Sequence, residues 1–199
     1  MTPVPAPPPF DPDRYRSPAA HYEHGRVPYA PALIRRVAEV TVLGSRHRVL
    51  DLGCGPAPLA RGFASFAREV VAIDPAPEML TAARALAGDA TNIQFLPGSS
   101  YDLGPALGLF HLVVMGRSFH WMDRVDTLDR LDKMIEPAGA VTLFSDFAPA
   151  IPANAWRKVW RDIRERYEPN TGAHEHDPIG SATRRSCSTH RSTAWKVLA

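Results

Sequence analysis

The chain has 199 residues, a net charge of +2, 22% charged residues and 45% hydrophobic residues. This length fits one domain with a hydrophobic core rather than two full domains, and the composition argues against wholesale disorder. The small net charge gives no reason to expect a nucleic-acid partner, and no apolar run approaches membrane-spanning length. Two cysteines, Cys54 and Cys187, and an N-terminus without a secretory pattern predict a cytoplasmic protein without a disulfide framework.

The N-terminal part of the chain predicts a leader followed by a helix. Residues 1–18 are crowded with proline, which fixes φ and removes amide donors, so we expect an extended leader. PALIRRVAEV (31–40) places Leu33, Ile34 and Val37 on one helical face, with proline at the first position. We therefore predict a helix from Pro31.

Short apolar runs then alternate with helix-like stretches. The runs are VLDL (49–52), VVAI (70–73), IQFL (93–96), HLVVM (111–115) and AVTLF (140–144). The stretches between them are PLARGFASFA (58–67), PEMLTAARALA (77–87) and TLDRLDKMIE (127–136), the last with an apolar stripe of Leu128, Leu131 and Ile135 ended by Pro137. Because continuous aliphatic runs suit strands buried on both faces, the pattern predicts an α/β fold with a doubly wound, mostly parallel, Rossmann-like sheet.

The βα alternation ends after Phe147. NAWRKVWRDIRERY (154–167) predicts an amphipathic helix capped by Asn154, whose apolar face is core or interface surface: Trp156, Val159, Trp160, Ile163 and Tyr167. The remaining polar, basic residues predict an irregular tail. We thus divide the chain into a leader (1–18), a core (19–150), an amphipathic helix (151–168) and a tail (169–199).

The segment RVLDLGCGPAPLA (48–60) predicts a ligand-binding turn. Gly53 and Gly55 follow a strand that ends in Asp51, so the chain can turn sharply and let a ligand approach its backbone. The third glycine of a dinucleotide motif is missing, Pro58 follows instead, and no P-loop spacing occurs. An adenosyl ligand without phosphates is therefore favoured over a pyrophosphate, although an ordinary strand-to-helix turn would use the same glycines.

Asp74 closes the second apolar run. A carboxylate there can accept hydrogen bonds from both ribose hydroxyls of a nucleoside, or it can cap the helix that follows. Both uses remain open at this point.

These segments together resemble the class I S-adenosylmethionine-dependent methyltransferases. VLDLGCG and VVAIDPAPEML resemble the first two cofactor motifs of that family, in order and separation. Further similarity extends through FLPGSSYDL (95–103) and FHLVVMGRSFHWMD (110–123), and AHYEHGRVPYAPALI (20–34) resembles the N-terminal segment. The SFHW signature is similar to small-molecule methyltransferases of the trans-aconitate and juvenile-hormone-acid type.

The resemblance implies S-adenosylmethionine as the cofactor and a role for each matching residue. Asp51, Gly53 and Gly55 would surround the methionine moiety, Asp74 would bind the ribose, and Met79 would pack on the adenine. The remaining matches are Ser99 and Ser100 at the adenine edge, Arg117 and Ser118 near the methyl donor, and Tyr22 and Arg26 closing over the cofactor. Ser99 replaces the acid that the family usually has there.

The implied reaction is an in-line methyl transfer to a small-molecule acceptor. A hydroxyl or amine acceptor needs a base, for which His120 is the candidate, whereas a carboxylate needs none. His120 would equally fit a histidine held by a backbone carbonyl. Two other functions remain open: a cofactor-binding remnant without activity, and a nicotinamide-dependent oxidoreductase.

Several features carry no function in this reading. Cys54 is a small turn residue, and His174, Glu175 and His176 do not predict a metal site.

The family's two strands after the fifth have no counterpart in the sequence, so we expect a sheet incomplete at its C-terminal edge. An open edge and an uncovered helix face favour a homodimer, and we expect neither nucleic-acid nor membrane partners.

Overall fold

The computed structural model describes residues 27–145 and 152–167. Their sheet has five strands: β1 (Arg48–Leu52), β2 (Glu69–Asp74), β3 (Ile93–Pro97), β4 (Phe110–Gly116) and β5 (Ile135–Phe144). The strands lie in the order β3-β2-β1-β4-β5, and every neighbouring pair is parallel. The chain order therefore reverses between β1 and β4, where a doubly wound sheet opens a crevice at its carboxyl edge.

The aliphatic runs form strands because both faces of the sheet are covered. Val49 of β1 packs in a core with Ile34, Leu59 and Leu80, whereas the next residue, Leu50, packs in a second core with Leu128. Successive residues of a strand point to opposite faces, so continuous apolar sequence is what two-sided burial requires. The predicted α/β doubly wound fold is confirmed.

Five α-helices accompany the sheet in the described ranges: α1 (Pro31–Val40), α2 (Pro58–Phe63), α3 (Pro77–Ala87), α4 (Arg124–Asp132) and α5 (Trp156–Tyr167). Proline occupies the start of the first three, where its missing amide costs no hydrogen bond. In α1 the buried residues are Ile34, Val37 and Ala38, whereas Leu33 is exposed, in contrast to the predicted face.

The predicted boundaries between the fourth helix and the fifth strand were wrong. The Asp123 side chain accepts hydrogen bonds from the amides of Val125 and Asp126, so α4 begins at Arg124 and ends at Asp132. Ile135 pairs with Phe110 of β4, and it therefore belongs to a strand that also contains Pro137. Ile135 has helical spacing from Leu131, but its pairing with Phe110 makes it a strand residue. The register of this strand pair is irregular between Phe110 and Leu112.

Helix α5 begins at Trp156, after the 3-10 turn Pro152–Asn154, and a cap by Asn154 stays a prediction. The leader 1–18 and the tail 169–199 lie outside the described residues. None of the described helices has the length and hydropathy to cross a bilayer.

The apolar face of α5 predicts self-association. Its five large side chains are between 52% and 73% exposed: Trp156, Val159, Trp160, Ile163 and Tyr167. Contiguous apolar surface of this kind marks an interaction site. We expect sedimentation velocity to show a concentration-dependent dimer whose dissociation constant rises about tenfold in Ile163→Gln, because burial of one isoleucine contributes about 1.5–3 kcal/mol.

The matched control is Lys158→Gln on the charged side of the same helix, where Lys158 Nζ pairs with Asp162 Oδ2 at 2.8 Å. Its dimerisation should match that of the wild type. A monomer at all concentrations, or equal effects of the two variants, would refute dimerisation through this face.

Candidate active site

The loop after β1 crosses the carboxyl ends of β1 and β2. The amides of Gly53 and Cys54 both donate to the carbonyl oxygen of Ile73, at 2.8 and 3.0 Å. Gly53 has φ +70° and Gly55 has φ +55°, in the left-handed region that glycine adopts without a Cβ penalty. The predicted sharp turn is thus present at the switch point of the sheet.

The two glycines have different neighbours. A Cβ on Gly53 would lie 2.6 Å from Cβ and 2.9 Å from Oγ of Ser118, whereas a Cβ on Gly55 would meet nothing within 4 Å. Ser118 is itself fixed, because its hydroxyl donates to the carbonyl oxygen of Leu52 at 2.8 Å. Gly53 therefore makes room for the segment after β4, and Gly55 is the glycine that leaves open space.

Asp74 connects the loop to the end of β2. Its Oδ2 accepts from the amide of Gly55 at 2.8 Å, and its Oδ1 accepts from the amide of Ala76 at 2.9 Å. Burial raises the pKa of the Asp74 carboxyl, although these two hydrogen bonds oppose the shift. The alternative of a cap is wrong, because Ala76 occupies the N-cap of α3 without a side-chain hydrogen bond. Each carboxylate oxygen keeps a second lone pair for a ligand hydroxyl.

Asp51 lies beneath the loop and does not line the cavity described below. It is 1% exposed, and its Oδ2 accepts from the amide of Ala60 in α2 at 2.9 Å. The pKa of the Asp51 carboxyl is raised to about 7, mainly by burial; the Ala60 hydrogen bond opposes this shift, and the nearby charge of Asp74 contributes to it. The structure thus places Asp51 as a support between β1 and α2.

Cys54 is buried in the same loop, and burial raises the pKa of its thiol well above the ordinary value. A thiol that resists ionisation is a poor nucleophile. This agrees with the interpretation of Cys54 as a small turn residue.

The residues predicted for the adenine side follow β2 and β3. Met79 is buried on α3, and Ser100 is buried in a 3-10 helix, Ser100–Asp102. Ser99 caps that helix: its amide and its hydroxyl both donate to Asp102 Oδ2, at 2.8 and 2.9 Å. These hydrogen bonds lower the pKa of Asp102.

Asp102 was not among the predicted site residues. It brings a carboxylate next to Ser99, the position where the sequence lacks the family's acid. The sequence pattern that could have identified Asp102 is Ser-x-x-Asp, the spacing of a capping box, in which the serine and the acid are hydrogen-bonded to each other.

A cavity of about 680 Å³ lies beside the glycine loop, between the start of α1, α2 and the end of β4. Gly53, Cys54, Gly55 and Arg117 line it together with residues that the sequence did not single out, among them Tyr29, Arg35 and Arg61. The adenine-side residues and Asp74 do not line it.

Arg117 joins the segment before α1 to the end of β4. Its guanidinium lies 4.6 Å from the ring centroid of Tyr29, and its Nη2 donates to the carbonyl oxygen of Val27 at 2.9 Å. Its φ of +56° is unusual for a residue with a side chain and costs of order 1 kcal/mol. The predicted covering residues Tyr22 and Arg26 lie outside the described residues. The segment that follows them contacts Arg117 through Val27 and Tyr29.

His120 lies in the 3-10 helix Phe119–Trp121, exposed, with its ring 4.8 Å from that of Trp121. It is not among the residues that line the cavity. Its role as a base stays a prediction.

A second titratable cluster lies at the opposite edge of the sheet. His47, His111 and Glu136 have ligand atoms within 4.8 Å of one another. The two imidazole rings are stacked, with centroids 3.8 Å apart and planes 7° apart. Since the lone pairs of a ring lie in its plane, parallel stacked rings do not converge on one metal ion. His111 instead contacts Glu136 Oε2 at 3.1 Å and the Thr41 carbonyl oxygen at 2.7 Å.

Comparison with known protein families gives a match over the part of the chain that contains the glycine loop and most of the sheet. Residues 49–139 match the family described as "Methyltransferase domain", and this range spans β1, the glycine loop, Asp74 and most of the parallel sheet. Residues 49–139 are thus similar to methyltransferase domains, and the sheet that contains them has the class I methyltransferase fold. The predicted resemblance is confirmed at that level, whereas the trans-aconitate or juvenile-hormone-acid subtype stays a prediction.

Curated relatives of the methyltransferase domain include an uncharacterized methyltransferase of Mycobacterium bovis, 31% identical over 129 residues that cover 61% of this chain and 47% of that protein. A malonyl-[acyl-carrier protein] O-methyltransferase of Enterobacter lignolyticus is 31% identical over 128 residues, which cover 62% and 47%. The chain thus spans about half the length of these relatives.

Solved structures share the fold of the domain. A complex titled DhpI-SAM-HEP superposes with a TM-score of 0.57 at 24% identity, covering 73% of this chain and 68% of that one. A Thiobacillus denitrificans S-adenosylmethionine-dependent methyltransferase in complex with S-adenosyl-L-homocysteine gives a TM-score of 0.52 at 18% identity, covering 71% and 60%.

Proposed function

We propose that this chain binds S-adenosylmethionine and transfers its methyl group to a small-molecule acceptor. The observation that carries the proposal is the hydrogen bond from the amide of Gly55 to Asp74 Oδ2, 2.8 Å long. It lies at the switch point of the sheet, and Gly55 lines the cavity. The fit is supported by the open space at Gly55 and by the lone pairs that Asp74 retains toward a ribose.

The chain's own residues would divide the work of binding. Gly53 and Gly55 would admit the methionine moiety, Asp74 would accept from the ribose hydroxyls, and Met79 with Ser99 and Ser100 would hold the adenine. Ser118 fixes the loop after β4 against Gly53. Arg117, the residue before it, would then lie near the methyl donor. The cofactor, when bound, supplies an electrophilic methyl group on a sulfonium.

The protein then contributes alignment and exclusion of water, which are the main requirements of an in-line displacement. O-, N- and carboxyl methylation remain open, and His120 would serve as base only for a hydroxyl or amine. The relative from Enterobacter lignolyticus is named for O-methylation of a malonyl carrier protein, which makes a carboxylate acceptor the first to test.

The cofactor assignment predicts a calorimetric result. We expect the wild type to bind S-adenosylmethionine with a micromolar dissociation constant, and Asp74→Ala to weaken binding about tenfold or more, because a hydrogen bond to a charged group contributes about 1.5–3 kcal/mol. Asp74→Asn keeps one carbonyl acceptor and should bind with intermediate affinity. The control is Asp89→Ala in the exposed turn after α3, which should bind as the wild type does.

Thermal unfolding of each variant separates lost binding from lost folding. No binding by a folded wild type would refute the cofactor assignment, and equal binding by all folded variants would refute the role of Asp74. Release of S-adenosylhomocysteine in the presence of acceptors then distinguishes an enzyme from a binding remnant without turnover.

A further inference from the structure

We propose that His111 is a proton-dependent latch that ties the C-terminal end of α1 to β5. Release of its proton as the pH rises weakens this hold on α1, the helix that forms one wall of the cavity with Pro31, Ile34 and Arg35. The latch goes beyond the proposed function, and only its effect on ligand binding rests on that function.

His111 meets an oxygen atom at each of its ring nitrogens. Its Nε2 lies 2.7 Å from the carbonyl oxygen of Thr41, the C-cap of α1, and its Nδ1 lies 3.1 Å from Oε2 of Glu136 in β5. Carbonyl and carboxylate oxygens accept hydrogen bonds, so both ring nitrogens must carry a proton to bond both partners. Because an imidazole is a stronger base than a carboxylate, the second proton lies on the ring, and the bridging form is the imidazolium.

The stacked neighbour, His47, has the opposite surroundings. Its Nδ1 accepts from the amide of Gly44 at 3.0 Å, and its Nε2 lies 3.2 Å from Arg46 Nε, which is also an N–H donor. There is no place for a second ring proton, so His47 is neutral. Burial, followed by the proximity of His111, lowers the pKa of His47. Of the two stacked rings, His111 is the one arranged to carry the charge.

Glu136 is the carboxylate that His111 contacts, and Arg46 lies against His47. The other charged groups on the elements around this pair bond with each other: Arg36 with Glu39 in α1, and Arg48 of β1 with Glu69 of β2. The charge of His111 is therefore matched by Glu136.

Loss of the proton breaks the bridge on one side. A neutral imidazole has one N–H, so it can donate to Thr41 or to Glu136 but not to both. Thr41 is 3% exposed and poorly placed to find water, whereas the Glu136 side chain is 33% exposed and can turn to solvent. The ring therefore keeps Thr41 and releases Glu136. The remaining hydrogen bond is weaker, because it loses the charge and the attraction of that charge to the C-terminal end of a helix.

The end of α1 also stores strain that favours opening. Val42 follows Thr41 with φ +54°, a left-handed conformation that is costly for a β-branched side chain. Its amide donates to the carbonyl oxygen of Glu39 at 3.1 Å, at a position after the helix where glycine is usual. The charged contact with His111 thus holds a turn that its own sequence disfavours.

Helix α1 connects the latch to the cavity. Thr41 at its C-terminal end meets His111, whereas Pro31, Ile34 and Arg35 from its first half line the cavity. The helix has ten residues and is therefore a short rod, so a looser end lets the cavity wall shift with it.

Nitrogen NMR of the histidine rings in the full chain tests the proton itself, between about pH 5.5 and about pH 8, the range in which histidine changes charge. The His111 signals are assigned by their loss in His111→Gln. We expect two protonated nitrogens at the acid end and one at the alkaline end. One proton throughout, or two throughout, would overturn the latch. Should His111→Gln fail to fold, the partly exposed Glu136→Gln still decides through the next experiment.

Hydrogen exchange of the α1 amides measures the hold on the helix. With intrinsic exchange corrected for pH, we expect the last turn of α1 to open about tenfold more often at the alkaline end, since a charged hydrogen bond becomes a neutral one. Glu136→Gln offers an amide N–H to Nδ1 of the neutral ring, so the bridge no longer needs the proton and this change should disappear. Val42→Gly relieves the strain and should lower opening at both ends of the range.

The matched control is Glu39→Gln, which removes a carboxylate of α1 that is 57% exposed and pairs with Arg36. It should keep the wild-type change. Asp51, whose pKa is about 7, also changes charge in this range, so each variant is compared with the wild type at the same pH. Equal pH dependence of exchange in the wild type and Glu136→Gln would refute the latch.

Calorimetry with S-adenosylhomocysteine at the two ends of the pH range tests the connection to the cavity. We expect the affinity of the wild type to fall more than that of Glu136→Gln as the pH rises, by no more than the roughly tenfold weakening of the latch. Equal changes would overturn the connection to the cavity. If a folded wild type does not bind S-adenosylhomocysteine at either pH, the proposed function fails, and the exchange and NMR results decide the latch by themselves.

Discussion

Replacing Gly53 with alanine is expected to abolish cofactor binding and to lower the free energy of unfolding by about 3 kcal/mol. The added Cβ would lie 2.6 Å from Cβ of Ser118, inside any tolerable contact, and the backbone has φ +70°. Relief requires Ser118 to move, which breaks its 2.8 Å hydrogen bond to Leu52 and displaces the segment beside the cavity. Urea unfolding and calorimetry with S-adenosylmethionine measure the two effects.

Gly55→Ala is the matched control for this prediction. Gly55 has a similar φ of +55° but open space at its Cβ position, so we expect only the left-handed strain of about 1 kcal/mol. The double variant Gly53→Ala/Ser118→Gly removes the colliding Cβ and should recover stability to near that of Gly55→Ala. Equal losses in the two single variants would show that backbone strain alone explains the need for glycine.

The second prediction with a large effect is a fall in stability as the pH rises from about 4 to about 7. The pKa of Asp51 is about 7 in the folded protein and 3.8 when unperturbed, so in this window the folded state holds a proton that the unfolded state has released. Unfolding then becomes easier by about 1.4 kcal/mol per pH unit, about 4 kcal/mol in all, and the dependence ends near pH 7.

Comparison with Asp51→Asn isolates this group. The amide cannot titrate but keeps an oxygen to accept from the Ala60 amide, so its stability curve should lack this fall. The raised pKa of Asp74 acts in the same direction in both proteins and cancels in their difference. Parallel curves for wild type and Asp51→Asn in urea unfolding at several pH values would refute the assignment.

The strands could be predicted from the sequence because the sheet is covered on both faces. Burial of alternate residues of β1 in two cores requires continuous aliphatic sequence, and that pattern is visible in one dimension. The α4 to β5 boundary could not be predicted in the same way. Ile135 has helical spacing from Leu131, and only its pairing with Phe110 makes it a strand residue.

The position of the candidate site was also determined by the sequence. Gly53, Gly55 and Asp74 follow the ends of two strands, and parallel strands bring their carboxyl ends to one edge, so local order alone predicts that they meet.

Only the tertiary structure decided which groups surround them. Ser118, 65 positions along the chain, leaves no room for a side chain at Gly53. Asp102 places a carboxylate beside Ser99, and His120 is not among the residues that line the cavity. The residues that line the cavity come from α1, α2 and the segments that follow β1 and β4. Sequence patterns report neighbours along the chain and the faces of single elements, whereas a cavity is formed by surfaces that the packing of several elements brings together.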